Sequence, residues 1–285
     1  MTAQSTRAGN NYCVVGSPIS HSRSPQIHHA FGLETGISLE YTRLEVAAGT
    51  LARAVEDFRK RGGSGLNVTV PLKEEAHEYC ASVMPRAQRA GAVNTIWFDE
   101  AGHPIGDNTD GVGLVTDLQA NCSVALKARH ILLVGAGGAA KGVVPMLLDA
   151  GPDSLTITNR TERRAADLAA GHHTASSAAI SVLAWGEAPR TPPDVIINAT
   201  ALSLEGQTPP LSARAMSNNP ACYDMMYQPE PTAFMRWAEQ HGAVKTYDGL
   251  GMLVEQAAEA FFLWHGVRPA TAPVISAIRD EMRRT

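Results

Sequence analysis

The 285-residue chain has no close cysteine pair, no basic block and no long apolar run, and each absence removes a class of protein. Its four cysteines, Cys13, Cys80, Cys122 and Cys222, lie far apart with no C-x-x-C spacing. In a chain of this size that argues for reduced thiols rather than a disulfide framework. Lys and Arg number 24 against 28 Asp and Glu, a formal charge of −4, and no stretch gathers enough positive charge to follow a phosphate backbone. Nucleic acid is therefore not the expected partner, and a small polar metabolite is. The longest apolar stretches fall well short of the ~18 residues that suggest a membrane span. The polar opening MTAQSTRAGNNYCVVG has no apolar segment of the signal-peptide kind. These points lead to an expectation of a cytoplasmic protein, monomeric or homodimeric. Internal repeats and low-complexity segments are missing too; the Ala-rich stretch 165–180 fits a helix followed by a surface loop.

What is present is apolar residues, at 44%, enough for a sizeable core, and a length that suggests two domains. Short β-rich runs (YCVVG, LEYTRLEV, LNVTV, AVNTIWF) alternate with helix-like stretches (SPQIHHAFGLE, TLARAVEDFRKRG) over the first 110 residues or so, the pattern of an α/β domain. ARHILLVGAGGAAKGVVPMLLDAG then restarts it as strand, glycine turn and amphipathic helix, so a second domain begins near residue 110. DSLTITNR, PPDVIINAT, ACYDMMY and GAVKTYDG read as its further strands, and long helical patterns from GMLVEQAAEAFFLWHG to APVISAIRDEMRR close the chain.

Gly135, Gly137 and Ala140 fit G-x-G-x-x-[GA] directly after HILLV, with small residues where a side chain would meet a pyrophosphate or a packed strand. A tight strand-to-helix turn needs the same glycines. The flanking strand, helix and second strand favour a dinucleotide site, in which Gly135, Ala136, Gly137, Gly138 and Ala139 would face the phosphates at a helix N-terminus. Where an NAD site usually has a carboxylate for the adenine ribose, this chain reads TNRTERR. Asn159, Arg160, Thr161 and Arg164 offer amide, hydroxyl and guanidinium donors, which suit the extra phosphate of NADP. The plainer alternative, a capped and solvated helix start, uses Thr161 but needs neither arginine.

In the first half, HSRSP (21–25) reads as a helix start with Ser24 as N-cap and Pro25 first in the helix. Ser22 and Ser24, two apart in a loop, can equally point hydroxyls at one carboxylate. His21, His28 and His29 form no tight metal-ligand set, so packed or solvated histidines are expected and no metal. Asp110 in GDNTDGVG suits an N-cap, and a single lysine such as Lys73 in NVTVPLK is by default a solvated surface charge unless a partner is found for it.

Taken together, GSPISHSRSP, NVTVPLK, GAVNT, GDNTDGVG, GAGGAAKG, NRTERR, YDMMYQPEPT and DGLGMLVEQAAEAFFLWHG, in this order over nearly the whole chain, resemble the shikimate dehydrogenases. The resemblance implies reversible reduction of 3-dehydroshikimate to shikimate by NADPH. It implies that Ser22 and Ser24 hold the substrate carboxylate, with Thr69 and Tyr227 nearby, and that Asn67 and Asn94 orient ring hydroxyls. Lys73 and Asp110 match the catalytic pair, Gln256 a substrate-contacting glutamine, and Gly249 the glycine whose carbonyl approaches the nicotinamide. Asn159, Arg160, Thr161 and Arg164 match the NADP-phosphate motif. The implied fold is a discontinuous α/β substrate domain, 1–109 and 249–285, with a Rossmann-type NADP-binding domain, 110–248, inserted. NATALSLEG departs from the more Ser/Gly-rich loop common after NAT, which leaves that loop's contacts open. The alternatives are a dual quinate/shikimate dehydrogenase, against which a serine rather than threonine at 24 weighs, and a non-catalytic NADP-binding regulatory module, against which Lys73 and Asp110 together weigh.

Overall fold

A computed structural model describes residues 10–172 and 178–284; the first nine residues and 173–177 of the Ala-rich stretch lie outside the described residues. The chain divides into two compact units. One runs to Thr109 and includes Ala257–Val274; the other is Asp110–Gln256 with the chain from Ile275 onward.

The first unit contains β1 (Asn11–Gly16), α1 (Ser24–Thr35), β2 (Glu40–Glu45), α2 (Leu51–Lys60), β3 (Gly63–Val68), α3 (Lys73–Tyr79), β4 (Ser82–Val83), α4 (Pro85–Ala90), β5 (Thr95–Phe98) and β6 (Pro104–Asp107). Its six strands are ordered β2-β1-β3-β5-β6-β4. β2, β1 and β3 run parallel, whereas β5 is antiparallel to both β3 and β6. Successive residues of a strand face opposite sides of the sheet, and here both sides are covered. Cys13, Val15, Leu66 and Val68 pack with Leu51 and Val55 of α2 and with Leu72 and Ala76, while Tyr12, Val14 and Tyr41 pack with Ala260 and Trp264.

The second unit contains α5 (Asp110–Thr116), β7 (His130–Val134), α6 (Gly138–Asp149), β8 (Ser154–Thr158), α7 (Glu162–Ala170), β9 (Ala179–Leu183), β10 (Val195–Asn198), β11 (Ala221–Asp224), α8 (Ala233–Gln240) and β12 (Lys245–Asp248). Its sheet, β12-β11-β10-β7-β8-β9, is wholly parallel. Counted within the unit this is the order 3-2-1-4-5-6 of a doubly wound dinucleotide-binding fold. Parallel strands buried on both faces read as continuous apolar runs. Accordingly Ile131, Leu133, Val195 and Ile197 enter one core with Val143, Leu147 and Leu168, and Leu132, Val134 and Ile196 enter the other with Phe234 and Ala238. β9 was not foreseen from the sequence: it is a partly exposed edge strand with no clear alternation, and it begins inside the stretch read as a loop.

The helices α9 (Leu250–His265) and α10 (Ala272–Met282) close the chain. The sequence suggested that the chain re-enters the first unit at residue 249, but α9 begins in the second unit and passes to the first only at Ala257, and 275 onward belongs to the second. Close packing accounts for this. A side chain at Gly251 would collide with the Asp117 carboxylate, and one at Gly113 would lie 2.8 Å from the Gln256 main-chain nitrogen. On α10, Arg279 forms a two-pronged ion pair with Asp248 at 2.5 and 2.6 Å.

Candidate active site

In the first unit, strand direction alone gathers the candidate residues. β1 and β3 are parallel neighbours, so the loops after Gly16 and Val68 leave the same edge of the sheet, the edge at which α/β sheets receive ligands. The first loop carries Ser22 and leads to Ser24 at the start of α1, the second carries Thr69 and leads to Lys73 at the start of α3, and Asn67 is the next-to-last residue of β3. Because β5 is antiparallel, its start faces that edge as well, and so does the end of β6: Asn67 pairs with Thr95, and Thr95 with Asp107. Asn94 and the segment leading to Asp110 are thereby brought to one place.

Ser24 differs from its expected role. It is the first helical residue of α1, Arg23 holds the N-cap position, and no side chain caps the helix. The Ser24 hydroxyl instead lies 3.2 Å from that of Ser22, whose carbonyl accepts from Arg43. Thr69 donates its N–H to the Val15 carbonyl at 2.9 Å, and its methyl leans over Gly16, where a Cβ would lie 2.5 Å away.

Asn67 and Asn94 are both buried, and their amides are oriented by neighbours that can act in only one sense. The Asn94 carbonyl can only accept, so the Asn67 Nδ2 faces it at 3.2 Å, and Oδ1 accepts from the Tyr41 hydroxyl at 2.6 Å. The Thr109 N–H can only donate, so it fixes the Asn94 Oδ1 at 2.8 Å, which also accepts from Thr95. Burial holds the Tyr41 hydroxyl well above its ordinary pKa, so it stays a donor. Behind it His28, wholly buried, stacks on Tyr41 with ring centroids 4.3 Å apart, and burial lowers its pKa to about 3. The histidine is a packed core residue. Among the described residues no group of His, Cys, Asp and Glu could hold a metal ion.

Lys73 is the first residue of α3 and half-buried. Its carbonyl accepts from Val93 N–H at 2.9 Å, beside Asn94, and Glu75 ties α3 to α2 by accepting from the N–H groups of Leu51 and Gly49, each at 2.9 Å. Asp110 is buried and opens α5 as its first residue, directly after Thr109.

In the second unit, Gly135 has φ +114°, a conformation that favours glycine, and a Cβ there would press on the Ala199 carbonyl at 3.2 Å. At Gly137 and Gly138 a Cβ would meet nothing within 4 Å, so both open onto free space at the start of α6. Gly137 borders a cavity of about 490 Å³ lined in part by Gly135, Ala136, Arg160 and Arg164 as well, whereas Gly138 is not among its lining residues. The glycine turn, a helix N-terminus and two guanidinium-bearing side chains form a donor set that fits a phosphorylated dinucleotide. Ala139, one residue into α6, is not among the lining residues. Asn159 lines the cavity, but its side chain braces the glycine turn: Oδ1 accepts from Ala136 N–H at 3.2 Å and Nδ2 donates to the Thr161 carbonyl at 2.9 Å. Thr161 stands at the N-cap of α7, yet its hydroxyl makes no cap bond. Trp185 also lines the cavity and was missed from sequence, since no motif carries it, and so does Glu205 of the NATALSLEG loop, whose contacts the sequence left open.

Tyr227 is half-buried in the turn after β11, and Gln256 is half-buried on α9, its Nε2 donating to the Leu253 carbonyl at 2.8 Å. Gly249 has a steric reason to be glycine, because a Cβ there would collide with the carbonyl of Met225.

A glycine-turn dinucleotide unit joined to a second α/β unit with a polar sheet edge defines a two-unit, nucleotide-dependent oxidoreductase. The chain matches the shikimate dehydrogenase substrate binding domain over residues 14–96, the shikimate / quinate 5-dehydrogenase domain over 117–218 and the shikimate 5'-dehydrogenase C-terminal domain over 249–279. It is 50% identical over 273 residues to a shikimate dehydrogenase (NADP(+)) of Nitrosococcus oceani, covering 96% of each chain. Among solved structures it is similar to an Ael1 enzyme from Pseudomonas putida (TM-score 0.87, 37% identity, 94% and 97% of the two chains). It is also similar to shikimate 5-dehydrogenase from Thermus thermophilus in complex with NADP(H) and shikimate (TM-score 0.84, 34% identity, 95% and 98%). The chain belongs to the shikimate dehydrogenase family.

Proposed function

We propose that this enzyme reversibly reduces 3-dehydroshikimate to shikimate with NADPH. The observation that carries the reading is the array of Ser22, Ser24, Asn67, Thr69, Lys73 and Asn94 along one sheet edge, in a chain that aligns almost end to end with an NADP-dependent shikimate dehydrogenase. Two neighbouring serine hydroxyls suit a carboxylate, and two locked amides suit ring hydroxyls. When bound, NADPH supplies the hydride. Negative charge then develops on the former ketone oxygen, and the Lys73 ammonium stabilises it and delivers the proton. Asp110 accepts from a substrate hydroxyl. Tyr227 and Gln256 would add contacts to substrate, and Gly249 would offer its carbonyl to the nicotinamide. Arg160, Arg164 and Thr161 hold the 2'-phosphate, while Asn159 acts through the glycine turn. No helix among the described residues is long and apolar enough to cross a membrane. We place the enzyme in the cytoplasm as a monomer or homodimer, with no nucleic-acid partner.

The direct test is oxidation of shikimate and of quinate with NADP and with NAD. The expected result is a kcat/KM for shikimate with NADP that exceeds the other three combinations; turnover favouring quinate would move the enzyme to the dual-specificity reading, and NADPH binding with no turnover to a regulatory one. A second expectation concerns the phosphate. Changing Arg160 and Arg164 to serine removes two charge-assisted hydrogen bonds, each worth ~1.5–3 kcal/mol where fully formed. Because both side chains are exposed, KM for NADPH should rise about 10–100-fold while KM for NADH barely changes. Equal increases for both cofactors would remove the arginines from phosphate recognition.

A further inference from the structure

Asp224 ends β11, is wholly buried, and is not among the residues lining the dinucleotide cavity. Its carboxylate collects four donors. Oδ2 accepts from the hydroxyls of Ser203 and Thr232, both at 2.6 Å, and Oδ1 from Asn198 Nδ2 and Met226 N–H, both at 3.1 Å. Burial pushes the carboxyl pKa up, and these hydrogen bonds oppose the shift. A buried charge is expensive, and a purely structural strand end is served as well by an apolar side chain. The donors belong largely to two loops. Asn198 and Ser203 bracket a segment whose Ala199, Thr200, Ala201 and Leu202 line the cavity. Asn198 also orders that segment by accepting from the Thr200 N–H and hydroxyl. Met226 lies in the turn between Met225, whose carbonyl abuts Gly249, and Tyr227. Gln228 Nε2 adds a second tie to the Ser203 carbonyl at 3.1 Å.

We infer that Asp224 is a positioning residue for the reaction: one carboxylate holds the loop at the dinucleotide cavity and the Met225–Tyr227 turn as a single piece, so that cofactor affinity and hydride-transfer geometry are set together. The inference rests on the cavity being the NADPH site. It is tested by measuring the Kd of NADPH directly, from reduced-nicotinamide fluorescence without substrate, beside steady-state kinetics. Ser203→Ala removes one of the two donors from the cavity loop, together with the Asn198 Nδ2–Ser203 Oγ contact at 3.4 Å, and keeps three of the four donors to Asp224. It should raise the NADPH Kd about 5–20-fold and leave KM for shikimate within twofold. Asp224→Ala removes the shared acceptor and leaves the Gln228–Ser203 hydrogen bond between the loops; it should raise the Kd about 10–100-fold and lower kcat about tenfold. Asp224→Asn keeps an oxygen toward Asn198 and Met226 and offers an amine to two hydroxyls able to accept, so it should recover most of the loss. A merely structural carboxylate predicts a lower Tm and a smaller active fraction with unchanged Kd; that pattern in Ser203→Ala and Asp224→Ala overturns the inference. Should Asp224→Ala fail to fold, Ser203→Ala decides alone. A wild-type enzyme that binds NADPH yet oxidises no shikimate defeats the proposed function but leaves this comparison of Kd values readable.

Discussion

Lys73→Met should lower kcat by about 10²–10⁴, the range for a lost general acid, with a much smaller change in KM. At ~1.4 kcal/mol per decade this is about 3–5.5 kcal/mol of transition-state stabilisation. Methionine keeps most of the apolar stem and removes only the ammonium, while main-chain and Glu75 contacts that do not involve that group hold α3 in place. The Lys73 carbonyl is held by Val93 N–H, and α3 is pinned to α2 through Glu75. The position itself argues against a stabilising charge. Lys73 opens a helix, where the aligned peptide dipoles favour anions over cations, and Glu74 and Glu75 of the same turn supply them. A cation kept at that end, on the sheet edge that also carries Asn67, Thr69 and Asn94, is explained by chemistry more readily than by folding energy. Steady-state kinetics on a variant whose unfolding midpoint matches wild type makes the comparison. Near-normal turnover would return Lys73 to the role of an ordinary half-buried charge and leave the proton donor to be found elsewhere.

Local signals in the sequence were legible, and non-local ones were not. Apolar runs marked β1, β3, β7, β10 and β11 because both faces of these strands are largely buried, and the glycine spacing marked the turn before α6. The antiparallel course of β5 had no sequence signature, though it alone carries Asn94 to the edge reached by Asn67. The strand β9 was invisible because an exposed edge strand needs no apolar face. Single-residue roles divided along the same line. Ser24 and Asp110 have the composition of caps, yet each is the first residue of its helix, one place further in. Asn159 reads as a phosphate donor from its neighbours in NRTERR; that its amide also engages Ala136 and Thr161 has no sequence signature. The re-entry of the chain at Ala257 rather than 249 depends on Gly251 meeting Asp117 and on Arg279 meeting Asp248, contacts between residues far apart in sequence that no local pattern announces.

The largest effect on stability is expected at Arg86, outside the chemistry. From α4 its guanidinium grips Asp107 with two hydrogen bonds, at 2.9 and 2.7 Å, and reaches Glu259 at 2.9 Å; Arg268 pairs with the other oxygen of Glu259. Asp107 ends β6 and its Oδ1 also accepts from Asn108 N–H at 2.7 Å, so the cluster anchors the segment leading to Thr109 and Asp110. Arg86→Met takes the shared guanidinium from two buried carboxylates, Asp107 and Glu259, and leaves Arg268 on Glu259. Breaking a buried pair costs ~3–5 kcal/mol, and since the Arg86 side chain keeps 21% of its surface in water the loss should fall near the low end, about 3 kcal/mol in urea unfolding at pH 7. The pH dependence supplies an independent check. Burial alone would raise the Glu259 pKa, but the hydrogen bonds and charges of Arg268 and Arg86 outweigh it and hold the carboxyl below its ordinary value. A carboxyl whose folded pKa is depressed binds fewer protons than in the unfolded chain, so its stabilising contribution is complete above the unfolded value, ~4.3, and disappears as pH falls through the folded one. Without Arg86, burial is opposed by Arg268 alone, the folded pKa moves back toward or past the unfolded value, and this part of the slope shrinks. Between about pH 5 and pH 3 wild type should therefore lose more stability than Arg86→Met, and the gap between the two proteins should narrow on acidification. Parallel curves over that interval would mean that Arg86 does not set the charge of Glu259, and the cost measured at neutral pH would then belong to Asp107 alone.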